Sequence, residues 1–111
     1  MPDVGPAEVE AVSKTLASGW LTSGPKVLEF ENSFAQRVGA KHALAVTSCT
    51  AALHLALDAI GVGQGDEVIV PTMTFTATAE AAMYLGAVPV LTDVCPKTGN
   101  MRVQDIEPKV G

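Results

Sequence analysis

The sequence predicts an α/β fold: two helices, then a β-α-β-α-β run whose strands form a parallel sheet. Short apolar runs at residues 43–46, 67–70 and 88–91 alternate with longer segments of helical periodicity. Glycines close those helical segments at Gly39, Gly61 and Gly86. Short apolar strands alternating with helices favour right-handed crossovers, and hence parallel pairing.

Taken in order, Val4-Gly5-Pro6 opens the first helix, with Pro6 tolerated in its first turn. Val9, Val12 and Leu16 recur at helical spacing and Gly19 ends it. Residues 20–25 form a loop by their Ser, Gly and Pro content. Val27, Phe30, Phe34 and Val38 mark one face of the second helix, up to Gly39. The first strand is 43–46, and a helix over 51–60 follows, ended by Gly61. Residues 63–66 turn the chain into the second strand, 67–70, which Pro71 breaks. Residues 75–85 form a helix despite their threonines, Gly86 ends it, and 88–91 is the third strand. Residues 103–110 read as the start of another helix, against the presence of Pro108. The chain stops as that element begins, which reads as a fragment of one larger domain.

Composition excludes several functions. The 111 residues carry a formal net charge of −5 and 48% hydrophobic residues, fitting one soluble globular domain. The seven basic residues are scattered, so nucleic acid is not an expected partner. No apolar stretch approaches the roughly 20 residues that span a bilayer, and the start at Met1-Pro2-Asp3 has no leader pattern. Cys49 and Cys95 lack metal or redox spacing, so no metal site is expected; they read as free thiols in a reducing cytoplasm.

In a parallel sheet, ligands sit beyond the carboxyl ends of the strands. Residues 48–51, 72–75 and Asp93 each follow a predicted strand, which places all three groups on one edge. Ser48, Cys49, Thr50 and Ala51 form a small hydroxyl-bearing turn before a helix. Free N–H groups and the positive helix end converge there and suit a phosphate. An ordinary N-cap is the competing reading, since Ser and Thr favour that position everywhere. The Gly-rich spacing and Lys-Ser/Thr of a P-loop are missing, and so is G-x-G-x-x-G, which disfavours nucleoside triphosphates and dinucleotides. Phe75, one of five aromatic residues, lies at a strand's carboxyl edge, where it could stack on a flat ring or pack in the core. Asp93 reads as a turn residue and His54 as a half-exposed helix residue. Cys49 has no base near it in sequence to make it a nucleophile. Trp20 anchors a loop, Leu21 to Gly24, that could touch substrate.

These stretches resemble a known family. Gly19-Trp20-Leu21-Thr22-Ser23-Gly24-Pro25 with Phe30-Glu31 and Phe34-Ala35 is similar to its N-terminal signature. Ser48-Cys49-Thr50-Ala51-Ala52-Leu53-His54-Leu55-Ala56-Leu57 resembles its phosphate-binding segment. Gly65-Asp66-Glu67-Val68-Ile69-Val70-Pro71-Thr72-Met73-Thr74-Phe75 and Gly86-Ala87-Val88-Pro89-Val90 follow in order. The family is the DegT/DnrJ/EryC1/StrS sugar aminotransferases, of the aspartate-aminotransferase-like fold type I. The resemblance implies that residues 1–111 are the incomplete N-terminal part of a large domain binding pyridoxal 5′-phosphate. It implies a phosphate seat at Thr50 and Ala51, shaped by Ser48 and Cys49, and ring stacking on Phe75. It implies contact of Leu21, Thr22, Ser23 and Gly24 with a nucleotide-linked keto sugar, with an amino donor such as glutamate and a homodimeric full-length protein.

Members of the family are several hundred residues long, and the cofactor-bearing lysine and the Asp partnering the ring nitrogen lie downstream of this segment. Lys14, Lys26, Lys41, Lys97 and Lys109 do not match the lysine motif, and Asp93 matches a different turn. Cys95 stands where an acidic residue is usual, and a few residues of the usual opening are missing. No catalytic residue is therefore assigned, and the 111 residues alone are expected to be inactive and prone to self-association. The alternatives are a sugar dehydratase of the same family, with a downstream His in place of the lysine, a non-catalytic binding or dimerisation remnant, and a flavodoxin-like module.

Overall fold

Residues Pro6–Ala17 form α1 and Pro25–Val38 form α2. Each begins on a proline, whose missing N–H is no loss in a first turn that has no intrahelical acceptor. The Gly5 N–H donates to Glu8 Oε2 at 2.7 Å and closes the start of α1. That bond, with the Glu8 N–H, holds the Glu8 carboxyl below its ordinary range. The apolar stripes of both helices, Val9, Val12 and Leu16 on α1 and Phe30, Phe34 and Val38 on α2, are open to solvent. In this computed structural model, which describes residues 2–111, the chain divides into two units, up to Ala45 and from Val46. Met1, part of the leader reading above, lies outside the described residues.

The second unit holds α3 (Cys49–Ala59), β1 (Glu67–Pro71), α4 (Ala77–Tyr84), β2 (Val88–Thr92) and α5 (Val103–Ile106), followed by a 3₁₀ turn, Glu107–Lys109. β1 and β2 pair in parallel, Glu67 opposite Val88 and Pro71 opposite Thr92. Helix α4 packs on α3 and on both strands. The buried side chains at this junction are small: Ala77, Ala81, Ala82 and Ala87, with Val70 beneath them. Gly61 and Gly86 follow α3 and α4 with φ of +83° and +80°, the left-handed region that a side chain disfavours. The Val62 N–H returns to Leu57 O and the Ala87 N–H to Ala82 O, both at 3.1 Å. This cap ends the helices abruptly and delivers the chain from α4 straight into β2.

The α/β class and the parallel pairing are as the sequence predicts, with one strand fewer. Residues 43–46 are not a strand among the described residues. An apolar run becomes a strand only where a neighbouring edge accepts its N–H groups, and among the described residues the sheet holds β1 and β2 alone. Glu31 supplies a substitute, its Oε1 accepting the Ala45 N–H at 2.8 Å. The predicted helix over 75–85 begins at Ala77, leaving Phe75 outside it. The last predicted helix is four residues long, and Pro108 falls in the 3₁₀ turn.

Candidate functional site

The start of α3 is built by Ser48. Its backbone is extended, and its Oγ accepts the Ala51 N–H at 3.1 Å while its carbonyl accepts the Ala52 N–H at 3.0 Å. The Ala51 bond satisfies one of the four N–H groups that a helix start leaves without intrahelical partners, and the Ala52 bond is the first of the helix itself. Among the described residues, the N–H groups of Cys49 and Thr50 donate to no protein acceptor. Ser48 and Cys49 are exposed; Thr50 and Ala51 are half-buried. The open donors, the Thr50 hydroxyl and the positive end of an 11-residue helix fit a phosphate group. The Ala51 N–H becomes available to an anion if the Ser48 hydroxyl turns away.

The chain leaves β1 at Pro71 and reaches α4 through residues 72–76. Thr72 stays in register, its N–H donating to Thr92 O at 2.9 Å. The hydroxyls of Thr74 and Thr78 lie 2.8 Å apart, tying this connection to the first turn of α4. Between them Phe75 is 78% exposed, so its ring is not core and presents a free apolar face. Asp93 follows β2, and its Oδ1 accepts the Val94 N–H at 2.8 Å, the turn role that the sequence indicates. Two of the three predicted groups, residues 72–75 and Asp93, thus follow the paired ends of β1 and β2. The third group, residues 48–51, follows the run 43–46, which is not a strand among the described residues.

Leu21, Thr22, Ser23 and Gly24 belong to the first unit. A cavity of about 360 Å³ there is lined by Leu21, Thr22, Gly24, Trp20, Lys14 and Lys26, among others; Ser23 is not in its wall. Gly24 lies close against Trp20: a Cβ at this position would sit 3.0 Å from Trp20 Cε3, so the exposed ring would have to shift slightly. Lys14 and Lys26 are paired with Glu10 and Glu29, so neither cation is unopposed.

Sequence reasoning did not single out Thr78, Tyr84 or Arg102. The i,i+4 spacing of Thr74 with Thr78, and of Glu80 with Tyr84, is the signal that was there to read. Tyr84 Oη donates to Glu80 Oε2 at 3.3 Å, and the Glu80 charge raises the phenol pKa. Arg102 grips Asp105 through Nε and Nη2, which raises the guanidinium pKa. Cys95 is a half-buried free thiol pulled below its ordinary value, first by the Lys97 N–H and then by Thr98.

A parallel βαβ unit beside a helix start with open N–H donors is the architecture of an α/β protein able to hold a phosphorylated ligand. The chain belongs to the DegT/DnrJ/EryC1/StrS aminotransferase family, whose profile matches residues 2–111. It is 51% identical over 110 residues to the spore coat polysaccharide biosynthesis protein SpsC of Bacillus subtilis, covering 99% of this chain and 28% of SpsC. A Streptococcus pneumoniae protein assigned as a sugar aminotransferase, with structures in PLP, PMP and apo forms, superposes at a TM-score of 0.92 in its PMP form. That match has 40% identity over 98% of this chain and 28% of the other. A 3-amino-5-hydroxybenzoic acid synthase matches at a TM-score of 0.91 and 44% identity, over 99% of this chain and 29% of its own. The chain thus spans little more than a quarter of the length of these relatives.

Proposed function

We propose that residues 1–111 are the N-terminal part of the pyridoxal-phosphate-binding large domain of an aminotransferase acting on a nucleotide-linked keto sugar. The observation that carries this is the pair of open N–H donors at Cys49 and Thr50, in a family with members solved in PLP and PMP forms. When bound, pyridoxal phosphate supplies an electron sink for the amino donor. This chain's residues hold and orient. The N–H groups of Cys49 and Thr50, the Thr50 hydroxyl and the α3 dipole seat the phosphate. Ser48 keeps the turn closed until an anion competes for the Ala51 N–H. The exposed face of Phe75 would be the surface on which the pyridine ring stacks. Residues 21–24 meet the sugar nucleotide, with Gly24 leaving room for the Trp20 ring beside the loop.

The sugar reading is supported by the polysaccharide role in the name of SpsC and by the pneumococcal assignment. Glutamate as donor, a homodimer of the complete polypeptide and a cytoplasmic setting follow from the resemblance. The described residues include no helix long and apolar enough to cross a membrane. None of the chain's five lysines matches the family's cofactor-bearing lysine, so the 111 residues alone transfer no amino group. Calorimetry of the chain with pyridoxamine 5′-phosphate, alongside an assay with pyridoxal phosphate, glutamate and a nucleoside-diphosphate-linked keto sugar, tests both parts. Saturable one-to-one binding without amino-sugar formation is the expected result. Absence of binding overturns the site, and turnover overturns the inactivity.

A further inference from the structure

The contact between α3 and α4 has an unusual composition. The buried positions of α4 are alanines, Ala77, Ala81 and Ala82, the last two with no accessible surface. Alanines let helices approach closely, but they offer no knob that fixes one helix along the axis of the other. Among the described residues an aromatic pair bridges the two helices: the rings of half-buried His54 on α3 and exposed Tyr84 on α4 meet at 5.6 Å between centroids, tilted by 56°. Tyr84 is braced in turn by Glu80, one turn earlier on α4. His54 lies one turn below Thr50, on the half-buried stripe Thr50, His54, Leu57. At the other end of α4, the Thr74–Thr78 hydroxyl pair fastens the segment carrying Phe75.

We propose that the His54–Tyr84 pair is a positioning device that sets the register of α4 on α3, and so the place of the Phe75 ring relative to the phosphate seat. The proposal rests on the cofactor reading above. A slip of α4 by one residue moves Phe75 about 1.5 Å along the helix axis, enough to spoil a stacked ring without disturbing the α3 N-terminus. His54 and Tyr84 touch neither phosphate nor ring; they act through the helices that carry those contacts.

Two ligands separate seat from register. Inorganic phosphate reports the α3 start alone, whereas pyridoxamine 5′-phosphate also needs Phe75 and, lacking an aldehyde, does not condense with lysines. In His54→Ala, phosphate affinity stays at the native value while pyridoxamine-phosphate affinity falls roughly three- to tenfold, the range of an aromatic contact. His54→Phe, which keeps a ring, restores it. Tyr84→Leu, which keeps apolar bulk without the ring, repeats the selective loss and serves if His54→Ala does not fold. Leu57→Ala, on the same stripe but outside the pair, lowers Tm and leaves the ratio of the two affinities unchanged. An equal loss for both ligands in the His54 and Tyr84 variants, or no loss for either, overturns the register role. Failure of the native chain to bind either ligand overturns the cofactor reading and this proposal with it.

Discussion

Two helices of this chain start from hydroxyl- and glycine-bearing turns, and they start differently. At α2, Gly24 is the cap, Pro25 has no N–H, and Gly24 O accepts both the Val27 and Leu28 N–H groups at 3.0 and 3.3 Å. Among the described residues the Gly24 and Lys26 N–H groups are left open there, and the Lys26 ammonium is already paired with Glu29. At α3, the Ser48 oxygens take up two donors, and three adjacent ones, the N–H groups of Ser48, Cys49 and Thr50, stay open with the Thr50 hydroxyl beside them. Both ends carry the same dipole, so the dipole does not distinguish them. The number of open donors does: α3 has one more than α2, where Pro25 has no N–H to offer, and this supports the proposal of an anion seat at α3.

The sharpest contrast comes from placing proline at equivalent second positions. Thr50→Pro removes an N–H and a hydroxyl in a first turn that tolerates proline. Each hydrogen bond to a charged group is worth about 1.5–3 kcal/mol, so phosphate affinity should fall at least about tenfold. Lys26→Pro should leave it unchanged; calorimetry with inorganic phosphate measures both. Next in size is Phe75→Ala. Loss of the stacked ring should weaken pyridoxamine-phosphate binding by about 0.5–1.5 kcal/mol. Inorganic phosphate binding and Tm should hold, since the ring is 78% exposed.

Ser48→Ala separates cap from seat. Losing the cap should lower thermal stability by about 1 kcal/mol. It also frees the Ala51 N–H, so phosphate affinity should hold or rise, opposite in sign to Thr50→Pro. The smallest effect concerns α1. The Glu8 carboxyl is depressed by the Gly5 N–H, so its contribution is present above the ordinary glutamate pKa and is lost as pH falls through the depressed value. Acid titration followed by circular dichroism should show α1 loosening on the acid side of about pH 4.3, with Glu8→Gln removing that step.

The helices, two of the three strands and the glycines that end α3 and α4 are legible in the sequence because they depend on local chemistry: apolar spacing, Pro6 in a first turn, left-handed glycine caps; Pro25, read as loop, is the first residue of α2. The run 43–46 was misread for a physical reason. Its residues suit a strand, but pairing depends on a neighbouring edge that no local pattern reports, and Glu31 takes the Ala45 N–H instead. The candidate site is proposed from residue types in order, from Ser48 to Ala51 and at Phe75. Which N–H groups remain open was not legible in the sequence, because that depends on where the Ser48 hydroxyl points. Nor was the His54–Tyr84 contact, which joins residues 30 positions apart through the packing of two helices.

A ¹H–¹⁵N titration of the chain with pyridoxamine 5′-phosphate would settle whether α3 or α2 is the anion-binding end. The largest saturable amide shifts should fall at Cys49 and Thr50, with Ala51 following as the Ser48 cap yields and Lys26 unmoved. Shifts centred on Lys26 and Val27, with Cys49 and Thr50 silent, would contradict the assignment of the phosphate seat to α3.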